Sequence, residues 1–125
     1  HEQVVAELFE RNLHQAGYLQ LDEAERIKRL LTAISQARPV QTSFADFSEM
    51  AQSEMRILQC AAEIHHRFGL AAMPNYIISM TTGIINILEV ALMLQEVGLL
   101  QTGRDPQLHL NIIPLFETIT DLRVA

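Results

Sequence analysis

Glu117, in the run Leu115-Phe116-Glu117-Thr118-Ile119-Thr120-Asp121, is the residue whose type and setting best suit chemistry. A carboxylate among hydroxyls is a hard oxygen donor for Mg2+ or Mn2+. It is also the residue type that stabilises the free N–H groups at a helix start. One carboxylate does not make a metal site, so the residues alone leave both readings open. The histidines offer less. His65 and His66 are adjacent on a predicted helix and leave it about 100° apart, so they cannot chelate one ion together. His66 is read as solvated and His65 as brushing an apolar stripe. His1 and His14 lie near the ends of the first helix, and His109 alternates with apolar neighbours; all three are read as structural or solvent-facing. Cys60, near Ile57 and Ala61, reads as a small buried hydrophobe. Glu89 and Glu96 share a helical face but lie roughly 10 Å apart along the axis, too far for joint acid–base work. That face is read as meeting water or a basic partner from outside the chain. No glycine-rich phosphate loop and no serine–histidine–aspartate order occurs.

The elements that must position Glu117 follow from periodicity. Its own segment, Leu108–Phe116, is an apolar run with β-branched residues in the middle and reads as a buried strand. A strand that ends at a carboxylate and turns into a helix is how α/β barrels place chemistry at the carboxyl ends of their strands. Asn75–Met80 is the other predicted strand. Between them Ile84–Val97 is apolar on nearly every side, which predicts a helix covered on more than one face. Gln101–Gln107, with Gly103 and Pro106, is the expected return loop. Strand, helix, strand makes a βαβ unit, parallel and right-handed. Upstream, three helices are predicted. The first spans His1–His14 and is closed by Gly17. The second starts at the cap Asp22 with Glu25 three residues on, carries the stripe Ile27, Leu30, Leu31, Ile34, and ends at Arg38-Pro39. After the linker Pro39–Ser43, the third runs from Ser43–Asp46 to Phe68, with Phe47, Met50, Ile57, Leu58, Ala61, Ile64 and Phe68 as its stripe. Gly69 stops it.

Composition narrows the class. The 125 residues are 49% hydrophobic, which is globular. A net charge of −6 leaves no basic stripe for nucleic acid or for an acidic membrane surface. Ile84–Leu100 is interrupted by Asn86, Glu89, Gln95 and Glu96 and falls short of the roughly 20 apolar residues of a membrane span. A single cysteine fits a reducing, cytoplasmic setting. No export leader is expected, and the opening at His1 rather than Met suggests an excised piece. Two parallel strands cannot bury both faces of a sheet, a further hint of a larger parent.

Several blocks together carry a resemblance. Tyr76-Ile77-Ile78-Ser79-Met80, then Ile87-Leu88-Glu89-Val90, then Ile112-Ile113-Pro114-Leu115-Phe116-Glu117-Thr118 with Asp121-Leu122, resemble the middle of bacterial-type phosphoenolpyruvate carboxylases. Arg38-Pro39 resembles that family's Arg-Pro-Leu segment, with Val40 in place of leucine. The resemblance implies an enzyme that carboxylates phosphoenolpyruvate with bicarbonate, giving oxaloacetate and phosphate, with Mg2+ or Mn2+ as cofactor. Glu117 matches the family's metal-binding glutamate, whose partner aspartate lies on a later strand. Ile85-Asn86 stand where the family usually has Ser-Asp. The family's catalytic histidine, its glycine- and arginine-rich loop and its second metal ligand have no counterpart here, so the isolated chain is expected to be inactive.

The resulting expectation is a helix-rich α/β segment of a (β/α) barrel, three helices followed by a parallel βαβ unit. It is one piece of a larger domain, helical over 1–70 and strand–helix–strand over 71–125. Its metal residue is Glu117, and its parent is a cytoplasmic, homo-oligomeric carboxylase without nucleic-acid or membrane partners. The rival from another class is a non-enzymatic module that binds a basic partner through acidic helix faces.

Overall fold

A computed structural model of the chain describes residues 1–41 and 43–124. Thr42, inside the predicted linker, and Ala125 lie outside the described residues. Four helices and a parallel strand pair form the frame: α1 (Glu2–Arg11), α2 (Glu23–Ser35), α3 (Glu49–Phe68), β1 (Asn75–Ile78) and α4 (Ile84–Glu96). A hairpin of β2 (Leu100–Gln101) and β3 (Gln107–Leu108), then β4 (Asn111–Pro114) and α5 (Ile119–Val124), complete it. The class is helix-rich with a small sheet, as expected. β1 and β4 pair in parallel, with Asn75 opposite Asn111 and Ile78 opposite Pro114.

One core holds the helical and the strand-bearing parts together. Val4, Val5, Leu8 and Phe9 of α1, Leu30 of α2, Met55 and Leu58 of α3, and Val90, Leu92, Met93 and Leu94 of α4 are all buried in it. α4 lies at its centre, against α1, α2, α3 and β4. Its all-round apolar sequence therefore does what was predicted of it. Three arginines roof the aromatic part of the core: Arg26 over Tyr18, Arg29 over Phe9 and Arg11 over Phe47.

Several boundaries differ from expectation. α1 ends at Arg11, because His14 already adopts a left-handed backbone. Gly17 then opens a one-turn 3₁₀ helix at Tyr18 rather than closing α1. α3 begins at Glu49, not at Ser43–Asp46, since Ser48 caps it by accepting the Ala51 N–H. Phe44 and Phe47 precede the helix and pack edge to face in the core. The buried stripe of α3 is Ala51, Met55, Leu58, Ala61 and His65, which leaves Met50, Ile57 and Phe68 exposed. In α2 the stripe centres on Leu30 and Ala33, and Leu31 faces out.

The segment read as one strand from Leu108 is two. Its first residues close the antiparallel hairpin with Leu100–Gln101, and only Asn111–Pro114 join β1. Gly103, with φ of 137°, occurs within the hairpin loop, and His109 extends the pairing by donating to the Leu99 carbonyl.

The β1–β4 pair is covered unequally. Tyr76, Ile78 and Ile112 pack against the core, whereas Ile77, Ile113 and Leu115 are 59%, 36% and 41% exposed. Side chains alternate across a strand, so one face lies on the helices and an apolar one is left open. Among the described residues each strand has a single neighbour.

Candidate functional site

Glu117 lies just beyond the carboxyl end of β4, next to the corresponding end of β1. Leu115 continues the parallel ladder after Pro114: its N–H donates to the Ile78 carbonyl, and its own carbonyl accepts from Thr81. Ile113, Leu115 and Glu117 are exposed, while Pro114 and Phe116 between them are half-buried. The carboxylate is exposed, and Oε2 accepts the Met80 N–H at 3.2 Å.

The two readings of Glu117 separate on local geometry. α5 is capped by Thr118 and Asp121: the Asp121 N–H donates to the Thr118 hydroxyl oxygen, while that hydroxyl and the Thr118 N–H both donate to the Asp121 carboxylate. This reciprocal box satisfies the helix start without Glu117, which precedes it. Asp121, not Glu117, is the first-turn acid. The glutamate is thus left as an oxygen donor at a strand end with one hydrogen bond made.

The other candidates disperse. His65 is buried on α3 and donates from Nε2 to the Met73 carbonyl, while His66 is exposed. His1 and His14 are exposed and His109 is half-buried. Cys60 is exposed, contrary to its reading as a core residue, because the buried stripe of α3 passes through Leu58 and Ala61 instead. Among the described residues no group of three or more histidine, cysteine, aspartate or glutamate side chains is placed to hold a metal ion.

Glu89 and Glu96 find their partners inside the chain, not outside it. Tyr18 donates its hydroxyl to Glu89 Oε1 at 2.8 Å in the core. Burial pushes the Glu89 carboxyl above its ordinary value, and the Tyr18 hydrogen bond pulls it part of the way back. Tyr18 is pushed up as well, by its own burial first and then by the facing carboxylate. Glu96 pairs with Arg38, whose guanidinium also donates to the Ala33 carbonyl and, at 2.8 Å, to Gln95 Oε1. Acids of α1 are likewise engaged internally, Glu2 with Arg26 and Glu7 with Ser48.

Asn86 accepts from the Thr82 N–H, the Thr82 hydroxyl and the Gly83 N–H. It fastens the start of α4 directly after the Met80 turn.

The sequence matches the family model described as phosphoenolpyruvate carboxylase over residues 1–125. The chain belongs to the phosphoenolpyruvate carboxylase family. It is 57% identical over 124 residues to a phosphoenolpyruvate carboxylase of Nitrosomonas europaea, and 54% identical over 124 residues to one of Nitrosomonas eutropha. It is 44% identical over 126 residues to one of Azorhizobium caulinodans. Those alignments cover 98% of this chain for the two Nitrosomonas proteins and 100% for the third. They cover 13% of each relative, so the chain spans about an eighth of a phosphoenolpyruvate carboxylase. No solved structure matches it.

Sequence reasoning missed the hydrogen-bond partner of Glu117. The Met80 N–H is a backbone group, and a left-handed methionine has no signature in composition or periodicity. Reading Thr118-x-x-Asp121 as a capping box would have separated Glu117 from the helix start beforehand.

Proposed function

We propose that this chain is the metal-ligand-bearing segment of a phosphoenolpyruvate carboxylase that forms oxaloacetate and phosphate from phosphoenolpyruvate and bicarbonate. The observation that carries the reading is the position of Glu117. It stands exposed at the carboxyl end of a parallel strand pair, clear of the α5 cap, and beside the end of β1.

The surrounding architecture supports a partial (β/α) barrel. In such a barrel, helices cover the outer face of parallel strands and apolar side chains fill the inside. Here helices cover one face of β1–β4, and Ile77, Ile113 and Leu115 line the other. Glu117 stands at the carboxyl end of the pair, the end where barrel chemistry occurs. We read the helical 1–70 part and the 71–125 part as one piece of a larger domain, and the core that runs through both supports this.

The donor set fits Mg2+ or Mn2+ as far as it goes. Glu117 offers hard carboxylate oxygen, and one hydrogen bond to Oε2 leaves the rest of its acceptor capacity free. Further oxygen ligands come, in this reading, from the rest of the enzyme. The bound cation supplies charge neutralisation at phosphate and enolate oxygens. Glu117 holds one coordination position and, through Met80, keeps a fixed carboxylate orientation. The setting we propose is cytoplasmic and the parent homo-oligomeric. Among the described residues no helix is long and apolar enough to cross a membrane.

The test is a chimaera in which this chain replaces the aligned 124 residues of the Nitrosomonas europaea enzyme. Oxaloacetate formation dependent on Mg2+ is expected, falling by at least about a hundredfold on Glu117→Gln. A folded chimaera unaffected by Glu117→Gln contradicts the reading. The purified 125-residue chain alone is expected to form no oxaloacetate.

A further inference from the structure

Met80 and His14 are the two non-glycine residues with positive φ among those described, at 51° and 53°. Left-handed backbone is unfavourable for an L-residue with a Cβ, so something must hold Met80 there. Its side chain does not: it is 75% exposed. The neighbouring backbone does. Thr81 is fully buried, donates its N–H to the Leu115 carbonyl at 3.0 Å and its hydroxyl to the Ile78 carbonyl at 3.2 Å. Thr82 and Gly83 are then tied to Asn86. Between the end of β1 and this anchored stretch, the chain bends at Ser79-Met80, and the left-handed residue donates its N–H to Glu117.

We propose that Met80 is a positioning residue for Glu117. Its left-handed backbone at the end of β1 presents an N–H to Oε2 and thereby fixes the carboxylate, leaving Oε1 for a divalent cation. Among the described residues Oε1 accepts no hydrogen bond, whereas Oε2 accepts this one at 3.2 Å. Without the Met80 N–H the exposed carboxylate would rotate among its own rotamers, and ordering it would fall to the cation at a cost in affinity. Backbone strain of this kind persists where surrounding structure over-determines it, and here it sits at the candidate site. The proposal rests on the metal reading of Glu117, and it concerns the backbone at position 80 rather than the thioether. It follows that glycine serves there as well as methionine, while a β-branched residue, for which positive φ is a true outlier, does not.

The experiment has two arms, each with the unaltered sequence, Met80→Gly, Met80→Val and Glu117→Ala: metal-free amide NMR on the 125-residue chain, and Mn2+ titration of the Nitrosomonas europaea chimaera that carries it. The metal-free arm reads hydrogen-exchange protection of the amide at position 80. Protection is expected in the unaltered chain and in Met80→Gly, and loss of it in Met80→Val and Glu117→Ala, with distant amides unmoved. In the titration, followed by electron paramagnetic resonance, the Met80→Gly chimaera is expected to bind Mn2+ within twofold of the unaltered chimaera. Met80→Val is expected to need about fivefold more. An amide at position 80 indifferent to Glu117→Ala overturns the positioning role alone. So does a folded Met80→Val chimaera that binds Mn2+ like the original. Mn2+ binding to the chimaera that Glu117→Ala leaves unchanged overturns the metal reading and the positioning role with it. Should Met80→Val not fold, the Glu117→Ala comparison still decides.

Discussion

Tyr18 and Glu89 are 71 positions apart in sequence and meet in the core, where a carboxyl is costly unless neutral or hydrogen-bonded. Burial raises Glu89 above its ordinary 4.5, so the folded chain holds this proton more tightly than the unfolded chain. Below 4.5 both states are protonated and the stabilising preference is fully present. As pH rises through the folded-state value that preference is lost, because the unfolded chain ionises freely and the buried carboxyl resists. Glu89→Gln keeps an acceptor for Tyr18 and removes the ionisation. Urea denaturation at pH 7 is expected to find it more stable than the original, with the gap closing toward pH 4; a gap independent of pH contradicts this. Asn86 gives a second prediction at this scale. Its side-chain oxygen takes three donors at the start of α4, so Asn86→Ala is expected to cost about 1 kcal/mol in the same assay. Asn86→Asp keeps the acceptor and places negative charge at the helix start, and is expected to gain about 0.5 kcal/mol.

At the scale of elements, the Arg38 guanidinium is a clamp. It ties the end of α2, through the Ala33 carbonyl, to Glu96 and Gln95 at the end of α4, while Gln95 donates onward to the Ile34 and Gln36 carbonyls and to Thr102. Removing one partner of a largely buried pair leaves the other unpaired, so Arg38→Ala is expected to lower stability by about 3 kcal/mol in denaturant unfolding. A change under 1 kcal/mol contradicts the clamp. Much of this layer was legible in the sequence: α2 from its Asp22 cap, α4 from its unbroken apolar run, and the parallel pairing of Asn75–Ile78 with the Ile112-Ile113 segment. What was not legible has physical causes. Short strands carry little periodicity, so the β2–β3 hairpin looked like loop plus strand. The α3 sequence has apolar residues on two faces, and the richer one in large side chains, with Met50, Ile57 and Phe68, is the one left outside. The ion pairs of Glu96 and Glu89 join distant positions, and no local pattern announces them.

For the whole molecule, the open face of the β1–β4 pair sets the behaviour of the chain. Ile77, Ile113 and Leu115 form an apolar face on a sheet with unpaired edges, the kind of surface that pairs with another copy. Sedimentation velocity is expected to show association rising with concentration, and Ile77→Lys to shift it toward monomer; a monodisperse monomer at high concentration contradicts this. Of the candidate site, Glu117 itself was legible, because an apolar strand that stops at a carboxylate is a local pattern and the surrounding blocks resemble a family. Its orientation was not, since that depends on a backbone N–H contributed from 37 residues away. The central claim is that Glu117 is a cation ligand at the mouth of a barrel. Its most direct test is electron paramagnetic resonance of Mn2+ bound to the Nitrosomonas europaea chimaera, with and without Glu117→Gln. The account predicts that the substitution weakens Mn2+ binding by at least about tenfold in a folded protein. Unchanged Mn2+ affinity would contradict it.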